Sequence, residues 1–218
     1  MGPILLLVAV HSAQAGVFGP SKPVAPTEAE LQVLEAEHVR LSEDIEQLAS
    51  RQLWPAVTRR FDDLAKRGIV PGRQDLVHAA AAARALGDML TAYERLATAA
   101  RIEADRDLLE AISAIDNNFG HVELVAHNPK GTELTLDELP FDPDQRMAVE
   151  AAQERVRKEG AFTGLLPRGA YSFAGQSFLV EPGLSLRIEV SPRMKKTEGE
   201  VVHVTTMPID TPRSNPRK

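Results

Sequence analysis

The chain has 218 residues, a formal net charge of -6 and no cysteine. Its length predicts one or two domains, and a hydrophobic fraction of 43% is ample for a real core, which argues against disorder of the whole chain. The acidic balance, with no basic stripe, argues against a nucleic-acid partner. The lack of cysteine excludes disulfides, thiolate zinc sites and cysteine nucleophiles.

Residues 1–15 have the pattern of a secretory signal peptide. An apolar run from Ile4 to Val10 precedes Ala13-Gln14-Ala15, which are small residues of the kind that signal peptidase reads before Gly16. The run is too short to span a bilayer of about 30 Å, so the pattern predicts a cleaved signal and no transmembrane segment. No Lys or Arg precedes it, which leaves open a misassigned start, a weak signal or an apolar element of a cytosolic protein. A secreted chain without a lipid-bearing cysteine would stay in the periplasm of a bacterium with two membranes.

Residues 16–27 are rich in proline and glycine and predict a linker. Thr27 and Glu30 match a capping box at the start of a helix over residues 28–52. A second helix begins at Pro55 and stops near Gly68. One side of the first helix is apolar, which predicts its burial, through the residues Leu31, Leu34, Val39, Leu41, Ile45 and Leu48.

The segment Asp75–Ala104 predicts a second antiparallel helix pair. Its first helix consists mostly of small residues, which let two backbones approach closely, and Gly87-Asp88 separates it from the second helix. That second helix carries an apolar stripe through Ala92, Leu96 and Ala99. A fifth helix follows from about Asp105 to Asp116.

The two helix pairs form an internal repeat with an offset of 35 residues. In the first pair the repeated positions are Leu41, Ile45, Leu48, Val57, Phe61 and Leu64. In the second pair they are Leu76, Ala80, Ala83, Ala92, Leu96 and Ala99. The pattern resembles the tetratricopeptide repeat over residues 37–116, although Ile45, Val57 and Leu64 depart from its small residues; a generic pair of helical hairpins is the alternative. Stacked repeats usually need three or more units, so something must cover the open end.

The tetratricopeptide resemblance implies a function as well as a fold. In that family the first helix of each pair lines a groove that binds a peptide or protein partner. By matching, the exposed polar positions of this groove are Glu46, Gln74 and Arg84. Ordinary solvated surface is the alternative explanation for each of these residues.

From Gly120 the apolar period changes from that of a helix to that of a strand. Short alternating segments predict a small β-sandwich, with strands at residues 121–127, 132–137, 162–166, 169–173, 176–180 and 184–190. Asn128-Pro-Lys-Gly131 predicts the turn between the first two strands. A charged helical insertion occupies residues 143–159. The stretch from Gly120 to Asp137, followed by Leu166-Pro-Arg-Gly-Ala-Tyr171, resembles the PEGA and carboxypeptidase-regulatory-like group of small extracytoplasmic sandwiches, which lacks such an insertion.

The predicted fold is therefore α+β with two domains. A helical-repeat domain covers residues 28–118, and a β-sandwich domain covers residues 119–206, in which residues 201–206 add an edge strand. Residues 207–218, with recurring prolines, predict a disordered tail.

No motif for catalysis, a cofactor or a metal is found. His121 and His127 share one strand face about 20 Å apart, too far for one coordination shell. The residues Asp116 to Gly120 only partly match a calcium loop, and helix termination explains them better. A solvated loop that caps the insertion helix is likewise the preferred explanation over calcium for the acidic cluster Asp137, Glu138, Asp142 and Asp144.

The preferred hypothesis is a secreted, periplasmic, non-enzymatic adaptor or scaffold of the cell envelope with a protein or peptide partner. The alternative is a carbohydrate or cell-wall binding module on the sandwich. Its candidate aromatic side chains are Phe162, Tyr171, Phe173 and Phe178. A hidden hydrolase that depends on Asp142 or His127 is a third hypothesis, which no spacing of catalytic groups favours.

Overall fold

The computed structural model describes residues 27–127 and 132–190 and the backbone of residues 205–208. The predicted signal peptide, the linker up to residue 26, the turn at residues 128–131 and most of the C-terminal tail lie outside these ranges. The fold is mixed α+β, with five helices first and two small sheets after them. The helices are α1 (Glu28–Ser50), α2 (Trp54–Lys66), α3 (Arg73–Ala85), α4 (Met89–Ile102), α5 (Arg106–Asn118) and, between two strands, α6 (Pro143–Glu159).

The boundary between the two helices of each pair follows the internal repeat. Helices α1 and α3 end at Ser50 and Ala85, and α2 and α4 begin at Trp54 and Met89, so both boundaries recur after 35 residues. All repeated apolar positions are buried except Leu48, which is partly buried. The repeat in sequence is therefore also a repeat in structure.

The two helix pairs pack on each other through α3. Helix α3 contacts α1 and α2 of the first pair as well as its own partner α4. Arg95 on α4 ties the pairs together, because its guanidinium lies 4.5 Å from the centre of the Phe61 ring on α2. Its Nη1 also donates a hydrogen bond of 2.8 Å to the carbonyl oxygen of Ala79 on α3. The pairs are thus stacked and joined by a shared apolar core.

The predicted burial of the first part of α1 was wrong. The capping box at Thr27 and Glu30 is present, but Leu31, Leu34 and Val39 are exposed, and burial begins only at Leu41. The reason is length: α1 has 23 residues and its antiparallel partner α2 has 13. Within the described part of the chain, the first turns of α1 therefore have no neighbouring helix to bury them.

The strands form two sheets. One has the order β3-β1-β6-β7 and the other the order β2-β4-β5. Their bounds are β1 (Phe119–Ala126), β2 (Leu134–Leu136), β3 (Ala161–Pro167), β4 (Gly169–Phe173), β5 (Gln176–Val180), β6 (Leu184–Val190) and β7 (Thr205–Pro208). Central strand β1 pairs antiparallel with β3 and parallel with β6. The consecutive strands β1 and β2 thus belong to different sheets. Strand β7 pairs with β6 at the edge and includes the first two residues of the predicted tail.

The two sheets and α6 share a second apolar core. Strands β1, β3 and β6 contribute to it from one sheet and β2, β4 and β5 from the other, while α6 contributes Val149, Ala152 and Val156. The neighbouring residue Ala148 instead belongs to the helical core, against which Leu165 of β3 also packs. Helix α6 therefore lies between the two cores and contacts both. Met147, in the second turn of the same helix, is 38% exposed.

Candidate interaction surface

The three residues predicted to line a groove lie on two helices. Glu46 is exposed on α1, and Gln74 is exposed in the first turn of α3, where its amide nitrogen lies 3.2 Å from Nε2 of His78. Arg84 is half-buried in the last turn of α3. Because ten residues separate Gln74 from Arg84, they are about 15 Å apart along the helix axis. The structure does not bring the three residues into one cluster.

Arg84 is engaged by α6. Its Nε and Nη2 atoms each lie 2.6 Å from Oδ2 of Asp144 in the first turn of that helix. A second ion pair joins Arg155 of α6 to Asp88, at 3.3 Å. The side chain of Asp88 also accepts a hydrogen bond from the backbone N–H of Thr91 and so caps α4. Helix α6 therefore packs against the end of the α3–α4 hairpin.

Gly87 allows the backbone of α6 to approach this hairpin. Its φ of 79° lies in the left-handed region, and a Cβ atom added there would lie 2.7 Å from Cβ of Ala151 and would also overlap the carbonyl group of Met147. The equivalent residue in the first helix pair is Gln52, which adopts φ 56° with a full side chain. The requirement for glycine at position 87 thus comes from the contact with α6 in addition to the backbone conformation.

A double-mutant cycle on Arg84 and Asp144 measures how strongly their ion pair, called here the tether, holds α6 to α3. Arg84→Glu should destabilise the protein because it places two carboxylates together, and Arg84→Glu combined with Asp144→Lys should recover the loss. Both side chains are more than a third exposed, so the coupling energy should be small but measurable, about 0.2–1 kcal/mol. The measurement is urea denaturation of the four proteins. A coupling energy of zero would contradict the tether, and the exchanged pair is the proper control for any partner assay at Arg84.

The connection between β2 and α6 exposes large apolar side chains. Phe141 is 98% exposed and Leu139 is 56% exposed. Arg146 restrains the backbone between them, because it donates from Nε and Nη2 to the carbonyl oxygen of Pro140, at 3.3 and 3.2 Å. Asp142 Oδ1 accepts from the backbone N–H groups of Asp144 and Gln145, at 2.9 and 3.0 Å. We refer to residues 137–142 as the Phe141 loop. Nothing in the apolar pattern predicts this loop, although an aromatic residue between two prolines is a visible feature of its sequence.

The acidic cluster predicted near this loop has structural roles. Asp142 caps α6, as expected, and Asp144 pairs with Arg84. In the two described ranges, no group of three or more His, Asp or Glu side chains is arranged to hold a metal ion. The carboxylates of this region instead give the surroundings of Phe141 a negative charge.

The predicted histidines bind neighbouring side chains on β6. His121 Nδ1 lies 3.1 Å from the Ser185 hydroxyl, and His127 Nε2 lies 2.8 Å from Oε1 of Glu189. The hydrogen bond from His127, together with its charge and that of Arg187, lowers the pKa of the Glu189 carboxyl. The two histidines therefore have separate partners four residues apart on β6.

Three of the four aromatic residues considered for carbohydrate binding lie in the core. Phe162, Tyr171 and Phe173 are buried, and the half-buried Phe178 stacks on Tyr171 with 5.5 Å between the ring centres. The Tyr171 hydroxyl donates to the carbonyl oxygen of Pro167 at 2.9 Å, and burial raises its pKa. The buried rings cannot serve as an exposed platform for a sugar.

No family model, curated protein or solved structure matches this chain. Within the part of the chain that the structure describes, no helix has both the length and the apolar character needed to cross a bilayer. The exposed apolar residues on the hydrogen-bonded Phe141 loop are therefore the surface feature that bears most directly on function.

Proposed function

We propose that this protein is a non-enzymatic adaptor or scaffold that binds a protein partner. The observation that carries the proposal is Phe141, an almost fully exposed aromatic side chain on a loop held by four hydrogen bonds. An aromatic side chain contributes a large apolar area when a partner covers it, and aromatic residues often dominate interface energies. Because the loop backbone is already ordered, little further entropy is lost when it binds.

The charge around Phe141 indicates the chemistry of the partner. Asp137, Glu138 and Asp142 lie in the same loop, while Arg84 pairs with Asp144 and the guanidinium of Arg146 donates to the Pro140 carbonyl group. A complementary partner site is an apolar pocket with a basic rim. Repulsion from this acidic loop would disfavour an acidic partner.

The helical array supports a scaffold role in this proposal. The recurrence of helix ends and of buried positions after 35 residues supports a tetratricopeptide-like array. The two sheets with a shared core support a small sandwich of the PEGA-like kind that packs against it. The Arg84 end of the proposed groove adjoins the Phe141 loop, because Asp144 follows Phe141 by three residues. A partner could therefore extend from the loop along α3 towards Gln74, with Glu46 on the neighbouring helix α1.

The proposed location is the periplasm of a bacterial envelope. It rests on the signal-like residues 1–15, which lie outside the described residues. N-terminal sequencing of the natively produced protein tests it directly. A mature chain that starts at Gly16 would support secretion, and a retained Met1 would contradict it.

Photo-crosslinking tests the adaptor proposal at Phe141. A photoreactive phenylalanine analogue at position 141 should crosslink a discrete partner in native cells. The same analogue at Leu179, an exposed apolar position on β5, should not. Purified unmodified protein should compete with the crosslink, and the Phe141→Ser protein should compete at least about tenfold less well, as expected for loss of a buried aromatic anchor. Equal crosslinking at both positions, or equal competition by both proteins, would contradict the proposal.

A further inference from the structure

A ten-residue extension distinguishes α1 from its counterpart α3. Helix α3 begins at Arg73, which corresponds to position 38 by the repeat offset, whereas α1 begins at Glu28. We call residues 28–37 the α1 extension. Its residues 28–36 are all exposed. The stacked hairpins do not need these turns for their core, so their apolar side chains require another explanation.

The apolar side chains of the extension continue a seam that is buried further along the same helix. The seam follows the alternating three- and four-residue spacing of a heptad repeat, through Leu31, Leu34, His38, Leu41, Ile45 and Leu48. Leu41 and Ile45 are fully buried against the rest of the array. Leu31 and Leu34 are 51% and 40% exposed. Among residues 27–127 and 132–190, no second helix packs against this part of the surface, which therefore continues beyond the core of the array.

Contacts at both ends hold the extension in helical form. At its start, the Thr27 side chain and the Glu30 carboxylate form a reciprocal capping box. At its end, Glu37 forms an ion pair with Arg67, and His38 Nε2 lies 3.2 Å from the buried Asp75 carboxylate. A partner helix would thus meet a preformed surface.

The charges beside the seam select the partner. The two positions that flank the seam on either side are Glu28 and Glu35 on one side and Glu30 and Glu37 on the other. In a pair of helices these positions face each other, so two copies of the extension would oppose carboxylates in either a parallel or an antiparallel arrangement. Glu28 and Glu35 form no ion pair with any residue in the described ranges. A helix with Lys or Arg beside its apolar seam would complement both the apolar side chains of the extension and the carboxylates that flank them.

We infer that the α1 extension is a docking site for an amphipathic helix of a partner protein whose apolar seam is flanked by Lys or Arg. The helix pairs with Leu31 and Leu34 and continues the packing of Leu41 and Ile45. The inference deepens the proposed adaptor function by naming a second binding surface. The extension shares no contacts with the Phe141 loop. Each proposed surface can therefore be contradicted by its own experiment without affecting the other.

The test uses the full chain and two stapled two-heptad peptides with leucine at both seam positions. One peptide carries lysine at the flanking positions and the other carries glutamate. Fluorescence anisotropy should show that the lysine peptide binds at least about tenfold more tightly and loses affinity as salt increases. The double variant Leu31→Ser, Leu34→Ser should weaken its binding at least about tenfold, since two apolar contacts are lost.

Two matched controls make the test specific. Val33→Ser changes a side chain of the same extension that is 65% exposed but lies off the seam, and it should leave the affinity within about twofold. Phe141→Ser should also leave it unchanged. Equal binding of both peptides, no binding, or an equal effect of Val33→Ser would overturn the inference. Self-association that the Leu31→Ser, Leu34→Ser variant abolishes in sedimentation equilibrium would assign the seam to a second copy and would likewise overturn it.

Discussion

Phe173→Ala should lower the free energy of unfolding by about 3–5 kcal/mol, as is typical for removal of a buried aromatic ring. Phe173 is fully buried in the core that the two sheets share with α6. Its strand β4 is the middle strand of the three-stranded sheet, so neighbouring strands on both sides limit the collapse of the cavity that the change creates. Urea denaturation followed by circular dichroism measures the loss.

Phe141→Ala is the matched control, because it removes the same ring from the most exposed position. Its ring lies outside both cores, so stability should change by no more than about 0.5 kcal/mol. Such a result would leave the folded protein available for partner assays. A loss at position 141 comparable to that at position 173 would show that the ring is buried in solution and would remove the basis of the adaptor proposal.

Gly87→Ala should destabilise the protein by about 3 kcal/mol. About 1–2 kcal/mol arises because a non-glycine residue must adopt φ 79°, and overpacking against α6 adds a similar amount. The variant should also separate the unfolding of the helical array from that of the sheets. Fluorescence of Trp54, the single tryptophan, reports the array, and circular dichroism reports the whole protein. The two transitions should coincide in the unmodified protein and diverge in the variant.

Gly68→Ala separates the two contributions. Gly68 has φ 69° after α2, and an added Cβ atom there would meet no other atom within 4 Å. This variant should show only the backbone effect of about 1–2 kcal/mol and keep coincident transitions. Equal losses at positions 68 and 87 would mean that α6 does not approach the α3–α4 hairpin closely.

Local signals in the sequence predicted most of the helices and strands well. Thr27 with Glu30, Pro55 and Gly87-Asp88 act on the adjacent backbone alone, so the helix boundaries they mark agree with the structure within a few residues. The insertion helix was predicted with the same bounds, residues 143–159, because Pro143 at its start and Gly160 after its end are strong local signals.

Long-range features could not be derived in this way. The alternation in β1 identifies a strand but not its partners, and those partners are β3 and β6, more than 35 residues away in sequence. The exposure of Leu31 and Leu34 depends on where α2 ends, which the amphipathic pattern of α1 does not contain. The repeat offset did contain this information, because it matches residues 28–37 to residues 63–72, which end α2 and connect it to α3.

The candidate surface likewise combines features that the sequence predicts with features that only the folded structure reveals. Matching to a repeat family identified Arg84 by its position on a helix, and only the structure revealed that Asp144, 60 residues later, neutralises it. Phe141 was passed over because an aromatic residue in a short acidic linker has no periodicity that indicates burial or exposure. Its exposure is a property of the packed molecule, since α6 turns its apolar face towards the two cores and leaves the preceding loop outside.

The position of α6 also has a consequence for biosynthesis. All five helices of the array are synthesised before Ala148 and Leu165, although both residues pack against the array core. Until α6 and β3 have left the ribosome, the emerged array presents an uncovered apolar surface to chaperones and to other chains. A released chain truncated after residue 118 should therefore recruit chaperones more strongly than a released chain truncated after residue 190.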